Sequence, residues 1–78
     1  MARLLLLGPA REAAGVARDD FAAISVGAVL DAAIERYGPG FADVVAMSRV
    51  WVNGEPADLA DRVGAYDEVA VVPPVSGG

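Results

Sequence analysis

The chain has 78 residues, of which 55% are hydrophobic and 22% are charged, and it contains neither cysteine nor histidine. This composition is too apolar for a disordered segment, and the length gives room for one hydrophobic core, so we expect a single folded domain. Without cysteine and histidine the chain has no thiolate nucleophile and lacks the commonest general base and metal ligand, which argues against most enzyme classes.

The formal net charge of −5 bears on the partners of the chain. Acidic proteins repel the phosphates that dominate nucleic-acid affinity, so we expect no nucleic acid and, if there is a protein partner, a basic one. The longest apolar run, residues 4–7, is far shorter than the ~20 residues of a membrane span, and no signal peptide is recognisable. These features predict a cytoplasmic protein that does not bind membranes.

The first half of the chain predicts two strands and a helix. Residues 3–7 form an apolar run that ends at a Gly-Pro pair, which favours a strand, and residues 21–24 predict a second strand that pairs with it across a loop. Ser25 is expected to cap a helix in which apolar residues recur at helical spacing. This helix should end at Gly38, because the proline that follows cannot continue the hydrogen-bond ladder.

The second half predicts a hairpin, a turn and a last strand. Residues 49–52 alternate as a strand does and lead into Asn53-Gly54, a dipeptide that suits a tight hairpin turn. Residues 58–64 are predicted to form a short turn or a single helical turn, and residues 68–72 the last strand. One helix and four or five strands cannot form a sandwich. We therefore predict an α+β protein of the ubiquitin-like β-grasp class, with a mixed four- to five-stranded sheet and one main helix across one face.

The C-terminal segment differs from the rest of the chain. Residues 1–73 are expected to form the domain, followed by a flexible tail of Pro74, Val75, Ser76, Gly77 and Gly78. Consecutive prolines hold the chain extended, so the four residues after them reach about 13 Å, and glycine without a Cβ can thread a narrow channel. A free carboxylate is a poor electrophile until it is joined to a leaving group such as AMP. The α-carboxylate of Gly78 is therefore the predicted reactive group.

The whole chain resembles the small subunit of molybdopterin synthase, within the wider family of ubiquitin-like sulfur carriers. Four segments carry the resemblance beside the apolar first strand: residues 11–15 (REAAG), 52–54 (VNG), 67–70 (DEVA) and 73–78 (PPVSGG). The resemblance implies that a ubiquitin-activating-like enzyme uses ATP to adenylate Gly78, and that a sulfur donor protein converts it to a thiocarboxylate.

The resemblance further implies that the tail inserts into the large synthase subunit of a heterotetramer and gives its sulfur to a cyclic pterin precursor. The catalytic side chains would belong to the large subunit, so this chain would be a non-catalytic carrier that binds no cofactor itself. Three alternatives stay open: a sulfur carrier for thiazole or another thio-metabolite, a protein modifier that forms isopeptide bonds through Gly78, and a plain binding module.

A docking surface is predicted from the alternation of the strands. The sheet face turned away from the helix should carry an apolar patch of Leu5, Leu7, Trp51 and Val72, and such patches tend to mark interfaces. In the alternative interpretation, a loop formed by residues 41–47 covers the patch.

Charged motifs outside the tail are given two interpretations. Arg11 either contacts a partner or forms a local ion pair with Glu12. Asp58, Asp61 and Asp67 lack the spacing of a calcium loop, so we interpret them as solvated turn residues and predict no metal site.

Overall fold

The computed structural model describes residues 1–74 of the chain. This part contains five strands, β1 (Ala2–Leu6), β2 (Arg18–Phe21), β3 (Arg49–Val52), β4 (Glu55–Pro56) and β5 (Glu68–Val72). It also contains three helices, α1 (Pro9–Ala14), α2 (Val26–Tyr37) and α3 (Pro39–Met47). No helix within residues 1–74 combines the length and hydrophobicity that a membrane span requires.

The strands form one mixed sheet in the order β2-β1-β5-β3-β4. The two central neighbours, β1 and β5, are parallel, whereas the other pairs are antiparallel. Since β5 is the middle strand, the strand that leads into the C-terminal segment has a hydrogen-bonded neighbour on each side. The predicted mixed sheet is confirmed, and the last strand has the predicted bounds.

The core lies between the sheet and the helices. Leu4 and Leu6 of β1 are 0% and 1% exposed, and Val69 and Val71 of β5 are fully buried, as the alternation predicted. Helix α2 covers them with a stripe of buried side chains from Val26, Val29, Leu30 and Ala33. The side chain of Ser25 accepts a hydrogen bond from the amide of Ala28, which confirms the predicted cap.

Two helices were not predicted, and both begin at a Gly-Pro pair. Pro9 and Pro39 occupy the first turns of α1 and α3, where their fixed φ suits a helix and the missing N–H costs no hydrogen bond. The expectation of a loop over residues 41–47 was wrong, because this segment is most of α3. Phe41 is 0% exposed, so α3 fills the core and does not cover the other face of the sheet.

The second strand lies three residues earlier than predicted. Strand β2 ends at Phe21, which is the partner of Ala2 in the antiparallel pair with β1. The prediction of residues 21–24 was wrong because the strand contains Asp19 and Asp20, and aspartate is a residue type that is depleted in strands. Asp19 points to the helix side of the sheet, where its carboxylate accepts hydrogen bonds from Arg36 and Tyr37.

Candidate functional site

The predicted tail leaves the domain at one end of the sheet. Because β1 and β5 run parallel, the end of β1 at Leu6 and the end of β5 at Val72 lie at the same end of the sheet. Pro73 is half-buried and Pro74 is exposed. The other predicted tail residues, Val75, Ser76, Gly77 and Gly78, lie outside the described residues, so their role stays a prediction.

Strand β5 is fixed at its start by the turn between β3 and β4. The side chain of Asn53 donates to a carboxylate oxygen of Asp67 at 2.9 Å and accepts from the amide of Glu68 at 2.9 Å. The other oxygen of Asp67 accepts from the amide of Gly64 at 2.7 Å. This hydrogen bond and the one from the side chain of Asn53 hold the pKa of Asp67 below its ordinary value. Asp67 is therefore a turn residue, as predicted, and the network holds β5 in register.

Asn53 also confirms the predicted hairpin. It has a φ of 50° and the following Gly54 a φ of 83°, the left-handed conformations that a two-residue turn of this kind requires. The turn connects Val52 to Glu55, which are partners in the antiparallel pair of β3 with β4.

Three of the predicted docking residues, Leu5, Trp51 and Val72, share the outer face of the sheet, which we define as the face opposite the helices. Leu5 of β1 lies beside Ala70 of β5, which in turn lies beside Trp51 of β3. Leu5, Trp51 and Val72 are partly exposed, and Leu7, just beyond β1, is 42% exposed. We call Leu5, Ala70, Trp51 and Val72 the outer patch. Its central member, Ala70, was not part of the predicted docking set.

Arg11 lies on α1, the helix that follows β1 at the tail end of the sheet, and its side chain is exposed. It forms no ion pair with Glu12: among residues 1–74 the salt bridge present joins Arg36 to Asp19 at 2.8 Å. The interpretation of Arg11 as half of a local ion pair with Glu12 was therefore wrong, and a contact with a partner stays a prediction.

A polar and aromatic cluster ties the edge strand β2 to the end of α2. Arg36 lies 4.4 Å above the ring of Phe21, and the ring of Tyr37 packs edge-on against Phe21 and Phe41. The hydrogen bonds from Tyr37 and Arg36 lower the pKa of Asp19, while burial and the neighbouring carboxylate raise the pKa of Tyr37 to about 12. The cluster lies on the helix side of the sheet, so its role is structural.

A groove of about 540 Å³ runs along the β3 edge next to Trp51 and was not predicted. Its lining includes Leu30, Val45 and Ala57, and its rim includes Leu59, which is 62% exposed. The loop that carries Leu59 is held in place because its carbonyl oxygen accepts a hydrogen bond from the amide of Gly27 at 2.9 Å. A sequence pattern could not indicate this groove, because its walls come from helices, strands and a loop.

Asp58 and Asp61 lie in that same loop and confirm their interpretation as turn residues. A carboxylate oxygen of Asp61 accepts a hydrogen bond from the amide of Asp58 at 2.9 Å, which closes the turn.

Known proteins resemble this chain in sequence and in fold. The chain matches the ThiS family over residues 4–78, and a search of curated proteins found no match. It is similar to SAMP1 from Haloferax volcanii, with 33% identity, a TM-score of 0.83 and coverage of 99% of this chain and 98% of the other.

Two complexes contain a chain with the same fold at lower identity. The first is the BexX/CysO complex of Amycolatopsis orientalis, with 20% identity, a TM-score of 0.84 and coverage of 100% of both chains. The second is the complex of subunits 1 and 2 of the molybdopterin-converting factor of Helicobacter pylori 26695, with 19% identity, a TM-score of 0.71 and coverage of 99% and 97%. These similarities confirm the predicted ubiquitin-like β-grasp fold. Because the family match spans nearly the whole sequence, this chain belongs to the ThiS family.

Proposed function

We propose that this protein is a sulfur carrier whose reactive group is the α-carboxylate of Gly78, and that its acceptor is the cyclic pterin precursor of molybdopterin. The observation that carries the proposal is the position of β5. It is the middle strand of the sheet, it ends beside the outer patch at Val72, and two prolines follow it. Membership of the ThiS family supports the carrier role, and the PPVSGG ending supports the pterin acceptor.

The chemistry takes place in three steps at Gly78. A carboxylate oxygen attacks the α-phosphorus of ATP and displaces pyrophosphate, which gives an acyl-adenylate. A sulfur nucleophile at the oxidation level of sulfide then attacks the carbonyl carbon and displaces AMP, which leaves a thiocarboxylate. Its sulfur attacks a carbon of the pterin precursor and displaces an oxygen substituent from that carbon, which forms a C–S bond and a thioester-type link. Water then cleaves the bond between the acyl carbon and the sulfur, so that the sulfur stays on the pterin and the carboxylate of Gly78 is regenerated.

Partner proteins supply the groups that this chain lacks. An adenylating enzyme would bind ATP, a sulfur donor protein would supply the nucleophile, and a large synthase subunit would hold the pterin. The chain itself would bind no cofactor and would work in the cytoplasm with these enzymes. Support comes from the Helicobacter pylori complex, in which a chain of this fold occurs together with a second subunit.

A reconstitution tests the acceptor. The full chain is prepared with a terminal thiocarboxylate and mixed with the large subunit from its own organism and the cyclic pterin precursor. We expect two carrier molecules to return to the carboxylate form for each dithiolene formed. If the thiocarboxylate persists with the pterin but is consumed by the thiazole-forming system, the acceptor is wrong although the carrier role holds.

A second candidate function is protein modification, and one observation favours it. SAMP1, at 33% identity, is a small archaeal modifier protein. Attachment of Gly78 to lysines of other proteins would require the same adenylate but an amine in place of sulfur. The two functions are compatible, because they share the activated tail.

The design of the modification experiment depends on the arginine positions. No lysine or arginine follows Arg62, so trypsin would leave residues 63–78 on a target lysine and not the usual Gly-Gly remnant. A Ser76→Arg variant shortens the remnant to Gly-Gly, and the same variant without Gly78 is its control. Remnants found with the first variant alone would establish modification, whereas their absence from both would exclude it under the conditions used.

A further inference from the structure

Charge is distributed unevenly over the surface of the domain. The outer face carries three arginines, Arg3, Arg18 and Arg49, and two carboxylates, Asp20 and Glu68. The rest of the molecule carries the other three arginines and nine carboxylates. The side chains of the outer face therefore carry a formal charge of +1 and those of the remaining residues a charge of −6, so the acidic character of the chain belongs to the helix side and the loops.

The arginines of the outer face differ in their surroundings. Arg3 is the register partner of both Asp20 and Glu68, so two carboxylates surround it. Arg18 is instead the partner of Leu5, and Arg49 is the partner of Val72. Both side chains are exposed, and neither forms an ion pair with any residue of the described range 1–74.

Arg18 and Arg49 therefore lie on opposite sides of the outer patch. The strands that carry them, β2 and β3, are three strand spacings apart, which separates the two arginines laterally by about 14 Å. Between them lie Leu5 and Ala70, with Trp51 beside Ala70. An apolar centre with a cation on each side is complementary to an apolar surface with carboxylates on each side.

We propose that the outer face docks a partner protein that presents an apolar contact flanked by Asp or Glu side chains, one facing Arg18 and one facing Arg49. This inference rests on the proposed function, because the carrier role is what requires a partner to dock on this face. It differs from the expectation of a basic partner, which was drawn from net charge alone. At physiological ionic strength a charge acts over about 8 Å, so the residues next to the contact outweigh the distant acidic side of the domain.

Two synthetic amphipathic helical peptides test the proposal directly. They share one row of leucine and phenylalanine residues, which is flanked by glutamates in the first peptide and by lysines in the second. Trp51 is the only tryptophan of the chain and belongs to the outer patch, so its fluorescence reports binding there. We expect the glutamate peptide to bind at least tenfold more tightly at low salt, and to lose most of this preference at high salt.

Charge-reversal variants locate the effect. Each of the single variants Arg18→Glu and Arg49→Glu should weaken the preference for the glutamate peptide, and the double variant Arg18→Glu/Arg49→Glu should prefer the lysine peptide. The control Arg62→Glu, with the same change in charge as either single variant, should keep the preference for glutamate. Tighter binding of the lysine peptide by the wild-type chain, or an equal preference in Arg62→Glu and in both single variants, would overturn the proposal.

A separate readout distinguishes this inference from the proposed function. The ATP-dependent conversion of Gly78 is followed in extract of the source organism for the wild-type chain, for Arg18→Glu/Arg49→Glu and for the single variant Arg62→Glu. We expect conversion of the double variant to be at least tenfold slower than that of Arg62→Glu. Equal rates would refute the acidic partner and leave the carrier role intact, whereas a glutamate preference without any conversion of Gly78 would refute the carrier role alone.

Discussion

Arg49 lies directly opposite Val72 in the antiparallel pairing of β3 with β5, at the last pair before the chain leaves the sheet at Pro73. Two residues earlier on β5, the same pairing places Ala70 opposite Trp51. The outer patch and the start of the C-terminal segment are thus built by the same two strands. Substitutions on the outer face should therefore change partner binding with little effect on the core.

Ala70→Asp should disable docking. Ala70 lies between Leu5 and Trp51, so the new carboxylate would be desolvated by any partner that covers the patch, at a cost of a few kcal/mol. We expect the initial rate of Gly78 activation to fall at least tenfold. The thermal midpoint should stay close to that of Ala70→Asn, which has nearly the same size without the charge. An Ala70→Asp variant as active as Ala70→Asn would show that partners do not cover the patch.

Substitutions of Asn53 should separate backbone conformation from side-chain hydrogen bonds. Asn53→Ala loses the contacts with Asp67 and Glu68 and keeps a φ of 50° that alanine disfavours, so we expect a loss of about 2 kcal/mol in the free energy of unfolding. Asn53→Gly loses the same contacts without the φ penalty and should cost about 1 kcal/mol less than alanine. Urea denaturation measures both values, and equal losses would contradict a strained turn.

Tyr37→Phe should make the protein less sensitive to acid. The hydrogen bonds from Tyr37 and Arg36 hold the pKa of Asp19 below its ordinary value of 3.8, so the carboxylate stabilises the fold above that pH and loses this effect as the pH falls through and below it. Removal of the hydroxyl should cost about 1 kcal/mol near pH 7 and less near pH 3. A loss that does not depend on pH would show that Asp19 and Tyr37 are not coupled.

Tyr37→Phe should also make the stability of the protein less sensitive to alkali. The pKa of Tyr37 is raised from 10.0 to about 12 by burial and by Asp19. A folded-state pKa above the unfolded value gives stability that is complete below pH 10 and is lost between pH 10 and 12. Thermal midpoints measured across this range should fall more steeply for the wild-type chain than for Tyr37→Phe, and parallel curves would contradict the raised pKa.

The periodic parts of the sequence predicted the corresponding elements well, whereas the Gly-Pro pairs indicated where elements end but not that helices begin there. Strand β5 and helix α2 have strong apolar periodicity and clear boundaries, so both were found with the correct ends. Pro9 and Pro39 were interpreted only as ends of elements; β1 and α2 do end before them, but each proline also begins a helix. The residue types at these positions fit both roles, and the apolar spacing of Phe41, Val44 and Val45 was the signal that favoured a helix.

The candidate site was predictable in composition but not in its charges. Alternation alone placed Leu5, Trp51 and Val72 on one face, because the side-chain period of a strand is two. The flanking positions of Arg18 and Arg49 depend on which strands are neighbours and on their register, which one sequence does not reveal. Net charge therefore suggested a basic partner where the local surface favours an acidic one.

The mass of the C-terminal peptide shows whether Gly78 carries sulfur. The protein is incubated with ATP, sulfide and extract of its source organism, treated with a thiol-alkylating reagent and cleaved after Glu68. The peptide 69–78 contains no methionine or cysteine, so neither a sulfoxide nor a thiol can imitate a thiocarboxylate. A chain without Gly78 is the control, and since the core residues found within residues 1–74 lie between Ala2 and Val71, we expect it to fold normally. We expect an alkylated Gly78 in the full chain and none in the control. An unmodified Gly78, in an extract that converts another carrier of the same organism, would contradict the carrier role.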